Sequence, residues 1–79
     1  MASLELYGTA GCPYTQEMRE WLEWKGKEFE EYDIEVDPAA RERIRALAQP
    51  PYNVPVLVEH GKVIQVGWQG RSCFVNVAS

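Results

Sequence analysis

Cys12 is the residue of this sequence best placed to do chemistry, in the segment GTAGCPYTQEM. A redox motif of the C-x-x-C type would place a second cysteine three residues further on, but that position holds Thr15. Cys12 directly precedes the helix predicted from Pro13, so its sulfur would face free backbone N–H groups at the positive end of the helix dipole. Both effects favour the thiolate, which is the nucleophilic form. The sequence therefore predicts a reactive cysteine; the alternative is a buried, inert cysteine at a helix start.

Pro55 is the second unusual residue, because it stands in the strand-like run YNVPVLV. Inside a central strand a proline removes a ladder hydrogen bond, so it is expected at the first residue of the strand. A cis Val54–Pro55 bond would turn the Val54 backbone N–H and C=O outward, where an extended substrate could pair with them. An ordinary trans proline at a strand start is the alternative.

The elements that must position these residues follow from the hydrophobic pattern. Strands are predicted over residues 4–7, 29–35, 54–58 and 62–66, with a tight hairpin turn at His60 and Gly61 between the last two. Helices are predicted over residues 13–25, and from the N-cap Asp37 to the break at residues 50–51. The order β-α-β-α-β-β predicts a mixed four-stranded sheet packed by helices, with strands one and two parallel. Residues 71–79 are expected to form at most a short helix or a frayed end.

Length and composition restrict the class of protein. A chain of 79 residues has room for one domain, and 46% hydrophobic with 25% charged residues is ordinary for a globular protein. The net charge of −4 argues against a nucleic-acid partner. No apolar run approaches the roughly 20 residues of a membrane helix. The N-terminus lacks the basic and apolar regions of a signal peptide, so we expect a cytoplasmic location, where thiols stay reduced.

The motif CPYT at the first helix and NVPVLV further along resemble the glutaredoxins of the thioredoxin-like superfamily. The resemblance covers nearly the whole chain. It implies a single glutaredoxin-like domain over residues 1–79, with a thioredoxin-like α/β fold and a short C-terminal helix. It also implies a cis-Pro55 that faces Cys12, and thiol–disulfide exchange at Cys12. The segment VGWQGRSC is similar to a loop of small redoxins that supply electrons to ribonucleotide reductase. Cys12 stands where some glutaredoxin-like proteins carry selenocysteine.

The chain departs from the pattern of these proteins at several positions. Thr9 replaces a lysine that in glutaredoxins pairs with a glutathione carboxylate, and residues 67–71 replace a Gly-Gly-x-Asp-Asp-like loop. We therefore expect no bound cofactor, with glutathione only a weakly held co-substrate. Pro13 follows the cysteine where the monothiol class that carries iron–sulfur clusters has glycine, which argues against a cluster. One histidine and two distant cysteines do not make a metal site.

The candidate catalytic residues are Cys12, Thr15 and Cys73. The Thr15 hydroxyl could donate a hydrogen bond to the Cys12 thiolate, or could bond only to backbone. Cys73 could be a small buried residue at the start of the last helix. It could instead resolve a mixed disulfide on Cys12, if the two Cα atoms come within about 7 Å.

The candidate substrate-binding residues surround the expected groove. Tyr14 is expected to lie partly exposed beside the sulfur, where it could stack on a substrate, and Trp68 could form the opposite wall or belong to the core. The full set is Pro13, Tyr14, Val54, Pro55 and Trp68.

The expected function is that of a monomeric thiol–disulfide oxidoreductase of the monothiol type. The Cys12 thiolate would attack a protein disulfide, a small disulfide or a glutathione mixed disulfide, and an external thiol or Cys73 would resolve the adduct. The alternative is a non-catalytic binding or iron–sulfur carrier module on the same fold.

Overall fold

A mixed four-stranded sheet forms the centre of the computed structural model, which describes residues 3–76. The elements are β1 (Leu4–Gly8), α1 (Pro13–Trp24), β2 (Glu30–Asp33), α2 (Pro38–Arg45), β3 (Tyr52–Val54), β4 (Val56–Glu59), β5 (Lys62–Val66) and β6 (Cys73–Val75). The sheet has the order β2-β1-β4-β5. As predicted, β1 is parallel to β2, and β4 and β5 form an antiparallel hairpin. Neither helix is long and apolar enough to cross a membrane, in the residues that the structure describes.

A second sheet, made of β3 and β6, was not predicted from the sequence. Pro55 divides the strand predicted over residues 54–58, so that Val54 ends β3 and β4 begins at Val56. The prediction of a short C-terminal helix is wrong for the described residues, since Cys73–Val75 pairs antiparallel with β3. Phe74 is exposed and Val75 is buried, and this alternation with a period of two belongs to a strand. Residues 77–79 of the predicted helix lie outside the described residues.

Both helices begin as the sequence predicts. Cys12 is the N-cap of α1 in an extended conformation, with Pro13 at the first helical position. Asp37 is the N-cap of α2, and its side chain accepts hydrogen bonds from the backbone N–H groups of Ala39 and Ala40. The N-cap position of Cys12 places its side chain at the helix end where backbone N–H groups lack intrahelical partners.

Two apolar clusters lie on opposite faces of the four-stranded sheet. Leu6 and Tyr7, neighbours in β1, belong to different clusters because successive strand residues face opposite sides. The cluster on the side of α1 contains Leu4, Leu6, Met18, Leu22 and Leu57. The cluster on the side of α2 contains Tyr7, Cys12, Ile34, Ala40, Ile44, Tyr52, Val54, Val56, Val58 and Val75. Cys12 therefore caps one helix while its side chain joins the core of the other face.

A polar network at the edge of the second cluster connects α2 to the sheet. The Tyr7 ring stacks on Tyr32 at a centroid distance of 5.2 Å, and the Tyr7 hydroxyl donates a hydrogen bond to Glu5 at 3.0 Å. The Arg43 guanidinium lies 4.9 Å from the centre of the Tyr32 ring and 3.6 Å from the Glu5 carboxylate. The network holds the side of α2 against β1 and β2.

This network predicts a loss of stability at alkaline pH. Burial, and then the hydrogen bond to Glu5, raise the pKa of Tyr7 from 10.0 to about 12. The unfolded chain releases this proton near pH 10 while the folded chain keeps it, so the stabilising contribution of Tyr7 is complete below pH 10 and is lost as the pH rises to about 12. A loss of order 2 kcal/mol is expected. Urea unfolding across this range should show a shallower decline for Tyr7→Phe, and equal declines for the two proteins would contradict the assignment.

Candidate functional site

Cys12 and Cys73, which are 61 positions apart in the sequence, are joined by a disulfide bond. Their Cα atoms are 6.1 Å apart, which meets the condition set for a resolving role of Cys73. Cys73 is opposite Val54 in the register of β3 and β6. The Cys12 Sγ lies 3.9 Å from the Val54 carbonyl oxygen. The structure thus brings both sulfur atoms and the Val54 backbone into one small site.

The Val54–Pro55 bond is cis, which confirms that prediction. Val54 is fully buried in the cluster that contains Cys12, and Pro55 is also buried. The Pro55 carbonyl oxygen accepts a hydrogen bond from the Gly67 N–H at 2.7 Å. This bond fixes the start of the segment that leads from β5 to Cys73.

A tight turn returns the chain from β5 to the site. Trp68 and Arg71 are joined by two backbone hydrogen bonds of 2.6 and 2.9 Å. Gln69 and Gly70 between them both have positive φ, of 51° and 77°, which is the geometry of a two-residue hairpin turn of type I′. The turn reverses the chain so that β6, which begins at Cys73, runs antiparallel to β3.

Cys12 is almost fully buried, with 2% of its surface exposed in this disulfide form. Its side chain makes no capping hydrogen bond, and the first turn of α1 contains no acidic residue. The positive end of the helix therefore faces the sulfur without an opposing carboxylate in that turn, and this attraction offsets part of the cost of burying a thiolate once the disulfide is reduced.

Thr15, which stands where a C-x-x-C motif has its second cysteine, packs against β1. Its side chain is 1% exposed, and its hydroxyl oxygen has no hydrogen-bond partner among residues 3–76. A Cβ placed on Gly8 would lie 2.9 Å from the Thr15 Cβ and closer still to the outer atoms of that side chain. The structure thus gives Thr15 a packing contact between helix and strand, and the hydrogen bond to a Cys12 thiolate stays a prediction.

The remaining candidate residues divide into two groups. Pro13 is exposed next to Cys12, and Tyr14 is half-buried and packs against the cluster of Cys12. Trp68 packs instead on the cluster beneath α1, where its ring lies 5.7 Å from Trp21. The structure does not bring Trp68 into the Cys12 cluster, and its position agrees with the core alternative.

Val75 is a residue of the site that the sequence interpretation missed. It is 5% exposed and belongs to the cluster of Cys12, while its partner in β3 is the buried Tyr52. The polar–apolar alternation that indicates a strand needs four or more residues to be recognised, and β6 has three. The sequence therefore carried only a weak signal for this strand.

A cavity next to Thr9 lies beside the loop that leads to Cys12, and Gly8, Thr9, Ala10, Arg19, Glu31 and Asp33 line it. Arg19 is paired with Glu31 at 3.1 Å. The Asp33 carboxylate accepts hydrogen bonds from the backbone N–H groups of Ala10 and Glu35. The single cation in this lining is thus already neutralised by a carboxylate.

The sheet order, the helix that begins after Cys12 and the cis proline beside the sulfur define a thioredoxin-like fold with a thiol-redox site. The glutaredoxin family model matches residues 4–64, and the chain therefore belongs to the glutaredoxin family. The matched segment contains Cys12 and Pro55 and ends before Cys73. Family membership indicates thiol redox chemistry in general.

Solved structures of similar proteins agree with this assignment. A mutant of the thioredoxin-like protein BC3987 is 29% identical, with a TM-score of 0.70 over 87% of this chain and 86% of its own. The glutaredoxin of Archaeoglobus fulgidus is 28% identical, with a TM-score of 0.68 over 87% of this chain and 78% of its own. Glutaredoxin 1 of Francisella tularensis is 25% identical, with a TM-score of 0.60 over 82% of this chain and 81% of its own. No curated protein matches the chain.

Proposed function

We propose that the protein is a thiol–disulfide oxidoreductase in which Cys12 is the nucleophile and Cys73 the resolving cysteine. The observation that carries this proposal is the bond between the two sulfur atoms, with Thr15 at the motif position where a second cysteine would stand. The motif alone supports only monothiol chemistry. The second sulfur is supplied by β6, at the other end of the chain.

The reaction has two exchange steps. The Cys12 thiolate attacks one sulfur of a substrate disulfide, which forms a mixed disulfide and releases the other substrate sulfur as a thiolate that takes up a proton. The Cys73 thiolate then attacks the Cys12 sulfur, which releases the second substrate thiol and leaves the Cys12–Cys73 disulfide. Two electrons pass from the protein to the substrate. A dithiol, or two external monothiols, returns the protein to its reduced form.

The roles of the neighbouring residues follow from their positions. The start of α1 stabilises the Cys12 thiolate before attack and when Cys12 is the leaving group. Pro13 and Tyr14 form the surface that a substrate meets beside the sulfur, because Pro13 is exposed and Tyr14 is half-buried. The Val54 backbone provides the pairing groups for an extended substrate.

Glutathione is a weak co-substrate in this proposal. Thr9 offers no charge, and the Arg19 guanidinium in the adjoining cavity is paired with Glu31. A glutathione carboxylate would therefore have to displace Glu31 from Arg19. The natural substrate is a disulfide-containing protein or small disulfide, reduced by the protein as a cytoplasmic monomer without a metal or bound cofactor.

Mass spectrometry after treatment with oxidised glutathione tests the proposal. The wild-type chain should lose two hydrogens and yield one cross-linked pair of peptides, which contain Cys12 and Cys73. Cys73→Ser should instead keep a stable glutathione adduct on Cys12, and Cys12→Ser should react far more slowly. A stable adduct on Cys12 of the wild-type chain, with Cys73 still a thiol, would show that Cys73 does not resolve it.

A further inference from the structure

The strand β6 occupies the edge of β3 beside the nucleophile. Cys73 is opposite Val54 in an antiparallel register, and its sulfur is bonded to the Cys12 sulfur. In the proposed function, a substrate polypeptide in a mixed disulfide with Cys12 has the same two features, a sulfur on Cys12 and a backbone paired with Val54. The second sheet therefore has the form of a nucleophile with a peptide substrate bound to it.

The proposed function gives the Val54 backbone at the edge of β3 as the pairing site of an extended substrate; we propose that β6 is a resident occupant of that edge, which an extended, cysteine-containing polypeptide segment displaces. The inference rests on the proposed function of Cys12 and names its substrate class. It assigns the binding mode to strand addition, in which main-chain hydrogen bonds provide affinity and alternate side chains provide specificity.

The burial of β6 indicates which substrate residues would be recognised. Phe74, one residue after the cysteine, is 76% exposed, whereas Val75, two residues after it, is 5% exposed in the cluster of Cys12. Side chains of a strand alternate between its faces, so a bound segment would direct the same positions inward and outward. The substrate class is therefore a segment with an apolar residue two positions after its cysteine and a tolerant position between them.

The attachment of β6 is small enough to be exchanged. It pairs with β3 through three residues and with no other strand of the described chain, and two-stranded sheets are marginally stable on their own. The disulfide and the buried Val75 side chain provide the rest of the attachment. Reduction removes the covalent part, so the edge of β3 becomes accessible in the redox state that must meet an oxidised substrate.

Strand exchange also accounts for product release. When β6 returns to β3, it brings Cys73 back to the Cys12 sulfur and removes the pairing partners of the substrate segment. Formation of the Cys12–Cys73 bond and departure of the reduced segment then occur together.

A peptide series on the full-length Cys73→Ser chain tests the binding mode. The probe is the hexapeptide of residues 71–76, Arg-Ser-Cys-Phe-Val-Asn, with its cysteine in a disulfide with 2-thiopyridine, and release of thiopyridone is the readout. Two variant peptides, one with Val75→Asp and one with Phe74→Asp, have the same net charge as each other and serve as a matched pair. The Val75→Asp peptide should react at least about tenfold more slowly than the parent, because it places a carboxylate in an apolar site. The Phe74→Asp peptide should stay within about threefold of the parent, because the position is solvated.

The controls separate this inference from the proposed function. A thiopyridyl disulfide of 2-mercaptoethanol has no peptide backbone to pair with β3 and reports the reactivity of Cys12 alone. If it reacts and the three peptides react equally, strand binding is overturned while Cys12 remains a nucleophile. If Cys12 reacts with none of the four probes, the proposed function fails.

A pair of protein variants tests whether β6 competes for the edge. In the Cys73→Ser chain, Val75→Ala should raise the ratio of the parent-peptide rate to the small-disulfide rate by at least about threefold, because it weakens the attachment of β6. Phe74→Ala should leave the ratio unchanged. An unchanged ratio in both variants overturns the role of β6 as an occupant. The peptide series still decides the binding mode if Val75→Ala fails to fold.

Discussion

Replacing Cys12 with serine is expected to slow the reduction of a small disulfide by at least about a thousand-fold, because a hydroxyl cannot replace a thiolate as the attacking group. The matched Cys73→Ser variant should keep the first exchange step within about tenfold of the wild-type rate, since the nucleophile and its helix are unchanged. Its turnover should then depend on the concentration of external thiol. The position of Cys12 at the start of α1 thus predicts a strong asymmetry between the two cysteine-to-serine substitutions.

Rates with bis(2-hydroxyethyl) disulfide at several concentrations of external thiol measure this asymmetry. The wild-type chain and Cys73→Ser should form the first product at similar initial rates and differ in the later step. A Cys12→Ser chain that keeps most of its activity would show that Cys73 attacks substrates itself. Equal losses in both variants would show that the disulfide serves stability, because removal of either partner then has the same effect.

The first half of the fold was predictable because its signals are local. Cys12 and Asp37 were assigned as helix N-caps from the residues that follow them, and both caps are present. The parallel pairing of β1 and β2 followed from the β-α-β order. The strand predicted over residues 54–58 corresponds to β4, but it begins at Val56 and not at or before Pro55.

The second sheet could not be predicted in the same way. The pairing of β3 with β6 joins segments far apart in the chain, and β6 has only three residues in which to show a periodicity. A resolving role for Cys73 could therefore only be left open, since it depends on a distance between two elements. Trp68 shows the same limit, because its large apolar ring suits either a groove or a core and only the packing against Trp21 distinguishes them.

The proposed resolving role of Cys73 would explain how a member of the glutaredoxin family can lack the second motif cysteine. The family model matches residues 4–64, a segment that holds Cys12, Thr15 and Pro55 but not Cys73. Thr15 occupies the position of the second motif cysteine and packs on Gly8. The first turn of α1 therefore stays close to β1 although no sulfur is present at that position. The turn at Gln69 and Gly70 then places β6, which carries Cys73, along β3 beside Cys12.

The contact between Gly8 and Thr15 predicts that Gly8→Ala destabilises the fold. A Cβ on Gly8 would approach the Thr15 side chain to within 2.9 Å of its Cβ, so Gly8→Ala must push α1 away from β1. A loss of about 1–3 kcal/mol in the free energy of unfolding is expected, as for other overpacked cores. Gly11→Ala is the matched control, because a Cβ there would meet no atom of the described part of the chain within 4 Å. It should leave the protein unchanged or stabilise it by about 0.4–1 kcal/mol through the unfolded state.

A double-mutant cycle connects this contact to the chemistry. Thr15→Ala removes the outer atoms that collide with the new Cβ, so Gly8→Ala should cost less in a Thr15→Ala chain than in the wild-type chain. Urea unfolding of the reduced proteins gives the four free energies, and a coupling close to zero would place the cost of Gly8→Ala elsewhere. Because α1 carries Cys12 at its start, its displacement also shifts the nucleophile relative to Cys73. Gly8→Ala should therefore slow formation of the Cys12–Cys73 disulfide by oxidised glutathione, Gly11→Ala should not, and adding Thr15→Ala should recover part of the rate.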